Sequence, residues 1–197
     1  MAHDRFTFNS AGQTHELEMA MDRAGGYNAA IVKRMCKGDR LTHIREYLLG
    51  LAEITYPEHI INCSADPFVP EGWSVEEHQK SGSFKWSPAE VQFYLSELQK
   101  QDKVIKGDEL RHELAGKPVY NANVLDYLLA HPHLIPEAWK KDEQGRTQYI
   151  FFWGTIYRGR GGGLYVRCLC WGGCGWGWGC GWLGGGFRGG GPVALRA

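Results

Sequence analysis

From Tyr149 to Ala197 the chain contains no Asp, Asn, Glu, Lys, Gln, His, Ser or Met. That absence removes the carboxylates, imidazoles and amines that serve as general bases, so a nucleophile in this stretch has no activating neighbour in sequence. Long apolar runs are missing too: no stretch reaches the length of a membrane-spanning helix. Net charge is zero, 22 basic against 22 acidic side chains, which gives no electrostatic reason to expect nucleic acid or an acidic membrane as partner. The opening Met1-Ala2-His3-Asp4-Arg5 lacks a charged-then-apolar secretory pattern. The default expectation is therefore the cytoplasm, with the cysteines as thiols.

What is present is unevenly spread. Residues 1–143 hold all 22 acids and 16 of the 22 bases, a balance of −6; residues 144–197 hold the other six bases, all arginine, a balance of +6. Ten glycines precede Trp153 and seventeen follow it. Four cysteines and four tryptophans crowd between Cys168 and Trp182. The length of 197 residues suits one domain with a small N-terminal addition, large enough for a real core.

Periodicity predicts the elements. Phe6 and Phe8, then Leu17, Met19 and Met21, alternate as two short strands over 5–21. Residues 28–37 and 41–54 read as helices, the second with Ile44, Tyr47, Leu48 and Leu51 in one stripe. Ile60–Cys63 reads as a strand and Asp66–Gly72 as a turn-rich link. Ser74-Val75-Glu76-Glu77 has the form of a capping box. Ser87-Pro88-Ala89-Glu90 predicts a helix to about Gln101, with Val91, Tyr94, Leu95 and Leu98 inward. Further helices are expected over Asp108–Ala115, ended by Gly116, and from Asn121 or Asn123 to before Pro132. Strands follow at Tyr149–Tyr157, Leu164–Trp171 and Trp176–Leu183, with a short last one at Val193–Leu195. This order is α+β with an antiparallel sheet. The expected division is an accessory region over 1–55 and a main domain over 56–197.

The glycine-rich end does not read as a linker. In Leu164–Trp171, Tyr165, Arg167, Leu169 and Trp171 share one side of the pleat; Val166, Cys168 and Cys170 share the other. In Trp176-Gly177-Trp178-Gly179, Trp faces one way and Gly the other. Trp153, Leu169, Trp171, Trp176, Trp178, Trp182, Leu183 and Phe187 are the expected anchors to the core. The interleaved Gly and Cys positions are expected to face solvent.

The missing residue types share a genetic logic. Asp, Asn, Glu, Lys, Gln and His all carry adenine at the second codon position. Exchange of adenine for guanine turns codons for Asp, Asn and Ser into Gly, for Tyr into Cys, and for His into Arg. Codons for Trp, Leu, Val, Pro, Ala and Phe can be free of adenine. The segment consists almost wholly of such products and such survivors.

At this point the chain resembles a known family. Phe151-Phe152-Trp153-Gly154-Thr155-Ile156-Tyr157-Arg158, Leu164-Tyr165-Val166-Arg167 and the Trp171…Trp176-x-Trp178…Trp182-Leu183 frame look like the variable proteins of diversity-generating retroelements. Their C-terminal region is rewritten at template adenines. Asp66–Trp73 and Asn121–Tyr127 to Pro136 are similar as well, so the resemblance covers roughly 57–197. It implies a C-type-lectin fold: a first strand, two helices, an antiparallel sheet and a last strand returning beside the first. It also implies a non-enzymatic scaffold that presents a variable ligand-binding face to a protein or other macromolecule, without cofactor or metal. The variable region is expected at about 159–191. On this reading the face comprises Gly159, Arg160, Gly161 and Gly162, then Cys168 and Cys170. It continues through Gly172, Gly173, Cys174 and Gly175, and through Gly177, Gly179, Cys180 and Gly181. Gly184, Gly185, Gly186, Arg188, Gly189, Gly190 and Gly191 complete it. This chain departs from the family by offering mainly Gly and Cys there, where relatives would offer Tyr, Asn, Asp or Ser.

Other chemistries compete. Cys168-x-Cys170-x3-Cys174-x5-Cys180 could supply zinc ligands, although no Cys-x2-Cys knuckle is present. Cys168 and Cys170 could mimic the paired cysteines of formylglycine-generating enzymes, which share the lectin-like fold. His131-Pro132-His133 reads as a helix terminus rather than a metal pair, and Glu76-Glu77-His78 as a solvated first helical turn. Gly161-Gly162-Gly163 lacks the Lys-Ser/Thr of a phosphate loop. Arg158, Arg160 and Arg188 could form a basic rim or be ordinary surface arginines.

Overall fold

The sheet of this protein is built around Tyr149–Arg158, a nearly continuous apolar run that is buried along almost its whole length. The structure, a computed structural model, describes residues 11–23, 26, 28–53 and 58–197. The chain divides into two units, Met1–Pro57 and Glu58–Ala197.

The first unit is helical: α1 (Ala11–Arg23), α2 (Ala29–Met35) and α3 (Arg40–Leu48). Asn28 caps α2, its side-chain oxygen accepting from Ala30 and Ile31 N–H at 3.0 Å. The strand expected around Leu17, Met19 and Met21 is helix instead; the part of that expectation over 5–10 lies outside the described residues. Glu, Leu, Met and Ala fill this stretch, and their helix propensity outweighs a short alternation. The stripe Ile44, Tyr47, Leu48 and Leu51 is exposed.

The second unit begins with β1 (Ile60–Asn62), β2 (Ser74–His78), β3 (Ser83–Lys85) and β4 (Val91–Tyr94). Then come α4 (Glu97–Lys100), β5 (Ile105–Lys106), α5 (Gly107–Glu113) and α6 (Ala122–Ala130). The last strands are β6 (Tyr149–Arg158), β7 (Leu164–Trp171), β8 (Trp176–Trp182), β9 (Gly186–Phe187) and β10 (Val193–Arg196). The architecture is mixed α+β. The main sheet runs β4-β10-β6-β7-β8, with β2 also paired to β6. The last strand, β10, lies antiparallel to β4 and parallel to β6.

Two expected helices are strands. Ser74–His78 pairs antiparallel with β6, with an irregularity between Val75 and Glu77. Ser87-Pro88 starts only a single 3-10 turn, Pro88–Glu90, before Val91–Tyr94 extends to pair with β10. The capping box sits later, at Ser96 and Gln99, where side chain and backbone bond reciprocally. Both differences arise because long-range pairing with β6 and β10 satisfies the backbone where a local helix signal competed.

Core residues cover both faces of the sheet. On one side, Val124, Leu125 and Leu128 of α6 pack with Ile150, Phe152 and Leu169. On the other, Ile105, Leu110 and Leu114 pack with Phe151, Trp153, Val166, Cys168 and Phe187. Gly154 makes the α6 side possible. A Cβ there would stand 2.8–2.9 Å from Asn121 atoms, so only glycine admits the strand this close to the helix cap.

Candidate ligand-binding face

The register of β7 and β8 divides their side chains into two sets. Tyr165/Trp182, Arg167/Cys180, Leu169/Trp178 and Trp171/Trp176 form one set of opposed pairs; Val166/Gly181, Cys168/Gly179 and Cys170/Gly177 form the other. The first set lies toward α6. The second faces the Phe151–Phe187 side.

The second set is not uniformly open, which corrects the expectation that interleaved Gly and Cys face solvent. Cys168 is 2 % exposed and belongs to the core. A Cβ on Gly181 would meet the Phe187 ring at 2.7 Å and the Phe151 ring at 3.0 Å. One on Gly191 would meet Phe151 at 2.9 Å, and one on Gly159 the Tyr165 ring at 2.8 Å. Gly184 and Gly186 are filled likewise by Trp182 and Val104. Gly179, Gly185 and Gly189 are tight, at 3.3, 3.0 and 3.1 Å from Cys168 Sγ, Trp182 C=O and Gln99 C=O. Gly181 and Gly191 are filled because the segment after β8 folds back over the sheet, whereas Gly159 is covered by Tyr165 of its own hairpin and Gly179 by Cys168 of the neighbouring strand.

Other positions are open. A Cβ on Gly161, Gly175 or Gly177 meets nothing within 4 Å, and those on Gly172 and Gly190 meet ordinary contacts at 3.6 and 3.7 Å. Gly162 and Gly173 have φ of +79° and +87° and form turn tips. Arg160, Cys174, Cys180 and Arg188 are exposed and Cys170 is half-buried. The open set therefore lies at the two hairpin tips, along the Cys170–Gly177 end of the sheet, and on the returning segment.

That returning segment is held in place. Gln99, buried beneath it, donates its side-chain N–H groups to Arg188 C=O at 2.9 Å and Gly191 C=O at 3.2 Å. Between the segment and β8 runs a groove of about 490 Å³. Phe151 and Phe187 line it together with Tyr149, Trp182, Arg146 and Gly181. Arg146 is bound to Asp142 at 2.7 Å, whereas Arg188 pairs with no acid among the described residues. Sequence reasoning missed Gln99, Arg146, Tyr149 and Phe151. A period-two reading from Phe151 back to Tyr149 would have put both on the Cys168 side.

The anchors divide too. Trp153, Leu169, Leu183 and Phe187 are buried, and Trp171 and Trp176 are half-buried with ring centroids 5.4 Å apart. Trp178 and Trp182 are exposed, a correction that follows from β8 being the sheet edge, with the core on one flank only. Trp178 instead roofs the buried Arg167, whose guanidinium lies 4.5 Å from its ring centroid and 5.1 Å from that of Phe68.

No family model, curated protein or solved structure matches the chain.

The chemistry available is that of a surface. Burial pushes the Cys168 thiol up to about 12, and raises Cys170 and Cys180 as well, so these sulfurs stay protonated near neutrality. Among the described residues no cluster of His, Cys, Asp or Glu is placed to hold a metal ion. His131 is the C-cap of α6 and stacks on Tyr127 at 4.3 Å; His59 meets both His131 and His133 edge-on at 5.8 Å. His78 bonds Thr155 Oγ1 at 2.8 Å. Gly159–Gly163 closes the β6–β7 hairpin, Gly159 N–H donating to Gly163 C=O at 2.9 Å. Beside it Arg158 is bidentate on Glu76, at 2.9 and 2.6 Å, and Arg160 reaches Glu71 at 3.1 Å. Two of the three rim arginines, Arg158 and Arg160, are therefore already engaged. No helix among the described residues is long and apolar enough to cross a membrane.

Proposed function

We propose that the chain is a non-enzymatic recognition protein, a variable protein of a diversity-generating retroelement with a C-type-lectin fold. Ligand contact falls to the open part of its glycine- and cysteine-rich face. The return of β10 beside β4, a strand that precedes α4, α5 and α6, supports the fold reading. One observation carries the functional reading. Residue types whose codons can lack adenine fill the interior of the segment, as with Val166, Leu169, Leu183, Phe187 and Val193. Products of adenine replacement occupy its open positions, as with Gly161, Gly175, Gly177 and Cys174; the same residue types also stand at the filled positions Cys168, Gly181 and Gly191. The ligand is a protein or other macromolecule, because the open positions span two hairpin tips and a groove rather than one enclosed pocket.

The coding sequence and its siblings test this. Differences among siblings should concentrate at the open positions and spare the buried ones, beside a downstream near-repeat rich in adenine. Differences spread evenly over residues 1–197 would overturn the reading.

A further inference from the structure

β8 is the terminal strand of the sheet and pairs only with β7 among the described residues. Hydrogen bonds at its ends decide which backbone groups face outward. Leu183 N–H donates to Leu164 C=O and Gly172 N–H to Gly175 C=O, both at 2.9 Å. Given the register Tyr165↔Trp182 through Trp171↔Trp176, residues 177, 179, 181 and 183 turn their N–H and C=O toward β7. Trp176, Trp178, Cys180 and Trp182 turn theirs away. The Trp182 carbonyl accepts Gly185 N–H at 2.9 Å; the other outward groups bond no backbone group among the described residues.

Sheet edges are ordinarily guarded by charge, proline or a bulge. Trp176–Trp182 has no charged residue and no proline, and its pairing with β7 is regular throughout. Its sequence, Trp-Gly-Trp-Gly-Cys-Gly-Trp, reads nearly the same in both directions about Gly179. An antiparallel strand of identical sequence, centred on Gly179, sets Trp176 opposite Trp182 and Trp178 opposite Cys180. These are the residues whose backbone groups face outward, so hydrogen-bond parity and sequence agree on one register.

We infer that this edge pairs with the same edge of a second copy, about a two-fold axis through Gly179. Such a contact is isologous and closes on itself. Because neither strand carries charge, the copies approach without like-charge repulsion. Trp178 and Trp182, 41 % and 55 % exposed, lie at the seam. With those fractions of up to ~250 Å² each still exposed, the two tryptophans offer about 240 Å² per copy, so with the edge backbone the seam stays below the ~1,000 Å² at which stable specific association begins. The dimer is therefore concentration-dependent.

Sedimentation velocity of the full chain in reductant, over a concentration series, tests it. The wild type should move from monomer to dimer. Trp178→Glu with Cys180→Glu sets like charges across both symmetric pairs and should weaken association at least tenfold. Trp178→Glu with Cys180→Lys sets opposite charges there and should restore it. Cys180→Pro removes an outward N–H without touching the β7 ladder, and should give a folded monomer by circular dichroism. If the double-Glu variant unfolds, the proline variant decides. A wild type monomeric at every concentration overturns the proposal, as does equal association of both charge variants or a folded Cys180→Pro that dimerises normally.

Discussion

Arg167 and Asp126 form a bidentate ion pair, with Nη1 to Oδ2 at 3.1 Å and Nη2 to Oδ1 at 2.7 Å. The arginine is 1 % exposed and its Nε finds no hydrogen-bond partner among the described residues. Removing one partner leaves the other charge desolvated. Asp126→Ala should cost about 3 kcal/mol, read from denaturant unfolding. Replacing both, as Asp126→Leu with Arg167→Met, should recover most of that loss, because an apolar pair of similar volume removes the uncompensated charge.

Open and filled glycines should respond oppositely to the same substitution. Gly177→Tyr meets empty space and should leave the melting temperature within a few degrees of wild type. Gly181→Tyr drives a side chain into the Phe187 and Phe151 rings and should cost about 1–3 kcal/mol or more. Thermal melts of the two variants check this, and an unfolded Gly177→Tyr would refute the assignment of that face.

Cys168 makes stability depend on alkaline pH. Its thiol, ordinarily at 9.0, is held at about 12 by burial. The folded state therefore favours the protonated form, and that contribution is complete below pH 9. It is lost as pH rises from 9 toward 12, because the unfolded thiol ionises first. Cys168→Ala should lose stability less steeply across that window than the wild type. At pH 8, alkylation should reach the exposed Cys174 well before Cys168.

Randomised positions should follow the same map. A library at Cys170, Gly175 and Gly177 that admits Tyr, Ser, Asp and Asn should yield folded binders, since tyrosine supplies rigid contact area that glycine lacks. An equal library at Gly181, Gly186 and Gly191 should yield mostly unfolded chains. Surface display with a conformation-sensitive stain separates the two outcomes.

Much of the late sheet was legible because its strands are apolar runs bounded by glycine turns, and Leu164–Trp171 is a strand over those same residues. The division of β7 into two faces followed from period two alone. Which face was covered did not, because Cys168 is buried in a cluster with Ile105, Leu110, Phe187 and Val193, residues far from it along the chain. Trp178 and Trp182 were legible as a pair on one side, but their exposure depends on β8 ending the sheet. Val91–Tyr94 reads locally as the continuation of a helix; only its partner in β10, about a hundred residues later, makes it a strand.

β10 sits inside the sheet, between β4 and β6, yet the chain reaches it only after every residue of the 159–191 segment. A stop or a shift of reading frame anywhere in that segment would deprive the sheet of an interior strand. Folding would then act as a filter on the gene, passing substitutions at open positions while discarding any copy whose frame was lost.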